Sequence, residues 1–291
     1  METLTTAFGN QIKMAVSRST VSTVVTEQNV YQEGDRNILP LLDEMVESLI
    51  LPGSGVDGME NLEDLFAKAE SGKSCLLCLE HYSNLDLSIF SRLVRKGGGR
   101  GETISDAVVA IAGMKLNEDN PVVAALAGAY TRIVIYPSRS LQGLDAEKNR
   151  AEIIRSNSIN RAAMRALNDL KHQGKLILVF PSGTRYRPWD PSTKKGVREV
   201  DSYLRSFDYM CCVALNGEVL HVREGDMMDD WVSRDLVRVT AGPVLSCAEF
   251  REKARLETAA TDDKKQAAVD ALMTELEKLH IEAEKKRQAL L

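Results

Sequence analysis

Six short, mostly apolar runs punctuate this chain: Cys75–Leu79, Val108–Ala112, Thr131–Tyr136, Lys175–Phe180, Tyr209–Leu215 and Leu236–Thr240. Each is short for a helix and too continuous for a half-solvated strand, so each reads as a strand buried on both faces. Stretches with helical spacing lie between several of them. Asp86 to Lys96 reads as a helix closed by Gly97-Gly98-Gly99-Arg100-Gly101. Asn120-Pro121 reads as a cap followed by proline at the first helical position. Ala146 to Gln173 reads as a long helix with Ile153, Ile154, Met164, Leu167 and Leu170 as its apolar positions. Strands separated by helices imply an α/β domain with a largely parallel sheet.

Helices also flank this region. Ile38, Leu41, Leu42, Met45, Val46 and Leu49 recur at helical spacing, and Pro52 with two glycines ends that helix. A second runs through Leu62, Leu65 and Phe66 and stops at Gly72. Near the C-terminus Val269, Leu272, Met273, Leu276 and Leu279 share a helical face, supported by pairs such as Glu282 and Lys286. Residues 1–35 carry little periodicity. The chain therefore divides into a helical N-terminal region (1–72), an α/β domain (73–248) and C-terminal helices packed on it (249–291).

Composition narrows the function classes. With 44% hydrophobic and 27% charged residues the chain reads as ordinary globular protein. No run approaches the roughly 18 apolar residues of a membrane span. A net charge of −5 argues against a broad nucleic-acid surface, though not against a local basic pocket. The N-terminus lacks the apolar core of a secretory signal. Its first 25 residues read as a frayed terminus, although their Ser/Thr-rich, acid-poor composition also resembles a transit peptide. The expected location is thus cytoplasmic, with the plastid stroma as the alternative. Cys75 and Cys78 have metal-like spacing but sit inside a strand-like run, and Cys211 and Cys212 are adjacent. A structural zinc site wants two spaced pairs on loops, so the five cysteines read as buried free thiols and no metal is expected.

Four histidines could do acid–base chemistry. His172 ends a charged helix, His221 follows a strand, and His280 sits among charges on the last helix; these three read as structural or solvated. His81 lies just past a buried strand, in Glu80-His81-Tyr82-Ser83-Asn84-Leu85-Asp86. Ligands of open α/β sheets gather outside the C-terminal ends of strands. A histidine there can take a hydroxyl proton, and a nearby aspartate can hold its other ring nitrogen in one tautomer. Asp86 is equally readable as a helix N-cap, and spacing alone leaves both readings open. A second strand end carries Phe180-Pro181-Ser182-Gly183-Thr184-Arg185-Tyr186-Arg187-Pro188, where two arginine forks flank a glycine turn suited to phosphate. The alternative is a solvated loop. Arg139 emerges beyond a third strand end and, taken alone, reads as a surface arginine. No Gly-x-Ser-x-Gly elbow occurs, which counts against an α/β-hydrolase. The Gly97–Gly101 run follows a helix rather than a strand, so it reads as a loop and not a nucleotide cradle.

Together these segments resemble the glycerolipid acyltransferase family, in that family's order, over roughly residues 38–245. His81 to Asp86 matches its histidine, four residues, aspartate block. Phe180-Pro-Ser-Gly-Thr-Arg185 is similar to its third block, with Ser182 where most members have glutamate, and is closer to the soluble plastid-type glycerol-3-phosphate acyltransferases. Ala112-Gly113-Met114-Lys115 through Ile135-Tyr136-Pro137-Ser138-Arg139 resembles that branch's middle segment, although Ser140 stands where the family has a histidine. The proline of the family's fourth block is not found between Tyr209 and Val222, so nothing is carried over from it.

The resemblance implies an α/β domain with a central mixed sheet, flanking helices and a shortened helical N-terminal region. It implies transfer of a fatty acyl chain from acyl carrier protein or coenzyme A to the sn-1 hydroxyl of glycerol 3-phosphate. His81 would be the general base and Asp86 its orienting partner. Arg139, Arg185 and Arg187 would hold the phosphate, with Ser182, Gly183 and Thr184 shaping the turn. No cofactor beyond the acyl thioester is implied, and the acyl product suggests peripheral contact with a membrane. The alternatives are a 1-acylglycerol-3-phosphate acyltransferase, a thioester hydrolase, and a non-catalytic phospholipid-binding protein on the same fold.

Overall fold

The computed structural model describes residues 2–118, 120–141, 145, 148–259 and 262–291, with the Arg139 side chain outside the described set. The N-terminal part holds β1 (Glu2–Thr3), α1 (Leu4–Arg18), β2 (Tyr31–Gln32), α2 (Leu39–Leu49), β3 (Gly55–Asp57) and α3 (Met59–Glu70). Next come β4 (Cys75–Leu79), α4 (Asp86–Lys96), α5 (Gly101–Ala107), β5 (Val108–Gly113), α6 (Lys115–Glu118), α7 (Pro121–Ala127) and β6 (Arg132–Ile135). The remainder is α8 (Arg150–Leu170), β7 (Leu176–Val179), α9 (Val200–Ser206), β8 (Tyr209–Asn216), β9 (Leu220–His221), β10 (Trp231–Val232), β11 (Arg238–Ser246), α10 (Cys247–Leu256) and α11 (Lys264–Gln288).

Eight strands form one mixed sheet in the order β2-β6-β5-β7-β4-β8-β11-β3. Its middle, β6 through β8, is parallel throughout, while β2 runs against β6 and β11 runs against β8. Alternate residues of the central strands enter different cores. Cys75, Leu77 and Leu79 of β4 pack with α1 to α5, whereas Leu76 and Cys78 pack with α8 to α11. The same alternation holds in β7, with Leu176 and Leu178 on one side and Ile177 and Val179 on the other. A strand covered on both faces cannot show a polar alternation, which is why these runs are continuously apolar. The chain runs from β4 outward to β5 and β6, returns through α8 to β7 beside β4, and then crosses to β8 on β4's other side. The direction of winding thus reverses around β4 and β7, and a crevice forms outside their C-terminal ends.

Local signals and structure agree at several helix starts. The Asn120 side chain accepts from the backbone N–H groups of Val122 and Val123, and Pro121 follows at the first helical position. Asp263 caps α11 in the same way. The expected helix beginning at Ala146 has its start outside the described residues and is observed from Arg150.

Three elements differ from expectation. Residues 4–18 form α1, whose buried Leu4, Phe8, Ile12 and Ala15 lie about one helical turn apart among polar residues. Gly101 opens α5 rather than belonging to a loop. β11 continues through Gly242 and Pro243 to Ser246 by shifting register between Ala241 and Val244, a bulge that accommodates a proline lacking a ladder donor. The N-terminal region also supplies the edge strands β2 and β3 to the main sheet. All five cysteines are buried and free, and burial raises the thiols of Cys75, Cys211 and Cys247 to about 12. Among the described residues no helix is long and apolar enough to cross a membrane.

Candidate active site

The turn after β4 is built around one carboxylate. Asp86, 1% exposed, is the first residue of α4. Its Oδ2 accepts from the backbone N–H groups of Tyr82 (2.6 Å) and Ser83 (2.8 Å), and its Oδ1 accepts from Ser83 Oγ (2.7 Å). The same Oδ2 lies 2.9 Å from His81 Nδ1. Asp86 therefore holds the imidazole and closes the turn that precedes α4, but it is not the helix N-cap: Leu85 occupies that position without a side-chain cap bond, and Asp86 accepts from N–H groups ahead of the helix rather than from its first turn. With Nδ1–H donated to Asp86, Nε2 is left as the basic nitrogen, and it has no hydrogen-bond partner among the described residues.

The second strand-end segment packs directly on this dyad. The Phe180 ring stacks on His81 with centroids 4.0 Å apart, and the Tyr186 N–H donates to the His81 carbonyl (2.8 Å). Between them the Gly183 N–H donates to the Phe180 carbonyl (2.8 Å), and Gly183 has φ +64°, which favours glycine. Ser182 Oγ donates to the Thr184 carbonyl at 2.6 Å, a bond within the turn.

The three arginines separate. Arg185 is buried and ion-paired through Nη1 with Asp230 Oδ2, whose other oxygen accepts from the Arg223 N–H at 2.9 Å. Arg185 is therefore not a free phosphate fork, because a buried carboxylate already neutralises it. Arg187 is half-buried, its N–H donates to Thr193 Oγ1 (2.9 Å), and its guanidinium has no ion-pair partner among the described residues. Arg139 lies on a short 3₁₀ turn, Ser138–Leu141, just past β6, and its side chain falls outside the described residues.

His81 opens onto a cavity of about 460 Å³, within the usual size of ligand pockets. Its walls are mostly apolar, including Leu85, Leu126, Ile135, Met164, Phe180 and Val200. Leu116 and Met164, both partly solvent-exposed, place apolar surface on its lining as well. Ser138 reaches Glu199 by a hydrogen bond along the cavity wall.

Behind the dyad lies a network that sequence reasoning missed. Glu80 is buried; its Oε1 accepts from Tyr82 Oη (3.0 Å), and its Oε2 accepts from the Leu215 N–H (2.9 Å) and His280 Nδ1 (2.9 Å). His280, read from sequence as one of the ordinary histidines, thus pins α11 to the residue preceding His81. Nothing in the spacing of residues 200 positions apart could signal this contact. Burial lowers the His280 pKa, but the Glu80 hydrogen bond and charge, with Glu277, outweigh burial and leave it above its ordinary 6.5. The group titrates upward on folding, so its stabilisation is fully present below about 6.5 and is lost as pH rises through the higher folded value. His280→Asn is therefore expected to lower Tm relative to the parent at pH 6, with the gap narrowing by pH 9. A gap independent of pH excludes the ion pair as its cause.

Among the described residues, no group of three or more His, Cys, Asp or Glu side chains is placed to hold a metal ion. The chain matches no protein-family model and no curated protein.

Proposed function

We propose that this chain is an acyltransferase that moves a fatty acyl group from an acyl carrier protein or coenzyme A thioester to the sn-1 hydroxyl of glycerol 3-phosphate. The observation that carries this reading is that His81, paired with Asp86, opens onto a largely apolar cavity of about 460 Å³. A proton-accepting nitrogen at an apolar cavity suits a reaction between a polar hydroxyl and a long hydrocarbon chain. The ordered motif resemblance supplies the acceptor.

In this reading His81 Nε2 takes the proton of the attacking hydroxyl as its oxygen bonds to the thioester carbonyl carbon. The imidazolium that forms is stabilised by Asp86, itself fixed by three further donors from Tyr82 and Ser83. Collapse of the tetrahedral species breaks the carbon–sulfur bond, and His81 returns the proton to the departing thiolate. The chain's own residues suffice for these transfers, and no prosthetic group enters them.

Purified protein assayed with labelled glycerol 3-phosphate and each acyl donor tests the proposal directly. Release of free fatty acid without labelled lysophosphatidate would overturn it in favour of a thioester hydrolase. Arg187, with no paired carboxylate among the described residues, is the phosphate contact we expect to matter most of the described arginines. A charged hydrogen bond contributes about 1.5–3 kcal/mol, so Arg187→Ala should raise KM for glycerol 3-phosphate roughly 10- to 150-fold. Lysine should restore only part, since it brings charge without the fork. An unchanged KM removes Arg187 from the acceptor site.

A further inference from the structure

Arg132 begins β6 and is 2% exposed, yet its guanidinium has no carboxylate partner among the described residues. Nη1 donates to the Ala127 carbonyl (2.7 Å) and more weakly to that of Tyr130 (3.4 Å), closing the C-terminal end of α7. Nε and Nη2 have no partner among the described residues. Arg132 also lines the 460 Å³ cavity, beside Leu42, Ala110, Leu126 and Tyr130. A buried, unpaired cation is among the most costly features a core can hold, because lost hydration goes uncompensated. Burial draws this group's pKa down only to about 10, so it remains charged at neutral pH. Two carbonyl bonds made by Nη1 alone do not require a full guanidinium. The remaining donors are explained if an oxyanion completes them.

Strand register places Arg132 far from the chemistry. Leu77, Leu178, Ala110 and Arg132 lie in one row across β4, β7, β5 and β6. His81 lies four residues beyond Leu77, roughly 13 Å along the strands, and three strand spacings away, roughly 14 Å across them. The cavity thus carries His81 at one region of its lining and, among the described residues, the Arg132 cation at another, with apolar wall between.

We propose that the Arg132 end of the cavity binds the carboxylate of a long-chain carboxylic acid. Two sources share this chemistry: a free fatty acid lying with its head toward Arg132, and the terminal carboxylate of a dicarboxylic acyl chain whose thioester end lies at His81. Only the second rests on the transferase reading.

The test compares hexadecanoate with hexadecanol by calorimetric titration of the full-length protein, with Tm recorded for every variant. This needs no turnover, so its failure is distinct from failure of the acyltransferase reading. The parent protein should prefer hexadecanoate by about 10- to 150-fold, the worth of a charged hydrogen bond. Arg132→Met should abolish that preference without lowering Tm, because an uncompensated buried charge leaves with it. Arg132→Lys should retain part of the preference. A parent that binds both ligands equally, or neither, overturns the proposal. So does an Arg132→Met protein that loses Tm but keeps the preference, since Arg132 would then serve only as the cap of α7. A transfer assay with hexadecanedioyl and hexadecanoyl thioesters separates the two sources. Preference for the dioyl donor, lost in Arg132→Met, assigns the terminal carboxylate; equal use of both donors assigns the free acid.

Discussion

Replacing His81 by alanine is expected to lower turnover by about 10²–10⁴-fold, the usual contribution of a positioned general base. The fold should survive the change. Asp86 keeps its bonds from the Tyr82 and Ser83 backbones and from Ser83 Oγ, so the turn into α4 does not depend on the imidazole. What is lost is the Nδ1 bond to Asp86 and the stacking on Phe180, a contact at the edge of the cavity. Removing Asp86 instead would confuse the two effects, because the same carboxylate anchors two backbone N–H groups. Initial rates of the alanine variant, read beside its Tm, check the assignment. Turnover within threefold of the parent at unchanged Tm would remove His81 from the chemistry and favour a phospholipid-binding role.

The largest effect on stability is expected at Asp230, whose side chain is fully buried against Arg185. Asp230→Ala leaves the Arg185 side chain, only 10% exposed, without its counter-charge, and breaking such a buried pair costs about 3–5 kcal/mol. It also removes the acceptor of the Arg223 N–H, loosening the segment whose Asp230 carbonyl receives the Leu4 N–H at 2.8 Å. Replacing both partners by apolar residues of similar volume should recover most of the loss, since such exchanges are often neutral. Denaturant midpoints of the single and double variants, with m-values to confirm two-state unfolding, decide the matter. A single-variant loss below 1 kcal/mol means that water screens the pair, and Arg185 then returns as a phosphate ligand.

Arg185 also shows where sequence reasoning stops. An arginine beside a glycine turn at a strand end reads the same whether its fork is free or already held. Its partner lies 45 positions away in an irregular segment with no periodic signal. The same limit applies to Glu80 and His280, which meet across 200 positions, and to Arg132, a charged residue inside the Thr131–Tyr136 run whose neighbours in space the sequence does not show. By contrast, α1 left a trace in the sequence: Leu4, Phe8, Ile12 and Ala15 keep helical spacing, diluted by threonines and polar residues between them.

The sequence by itself determined the layered α/β architecture and the pairing of His81 with Asp86 at a strand end. Both follow from short-range physics. Two-faced burial writes itself as unbroken apolar runs, helix faces as three-to-four-residue spacing, and a histidine five residues before a helix-opening aspartate as a closed turn. Tertiary structure alone decided which charges are neutralised and what lies behind and around the dyad. Only packing brings Phe180 onto His81, Asp230 onto Arg185 and α11 onto Glu80, and only packing leaves Arg132 beside the cavity without a carboxylate among the described residues. Local propensity acts between residues a few positions apart, whereas burial and charge pairing act through space between segments that the chain's spacing does not relate.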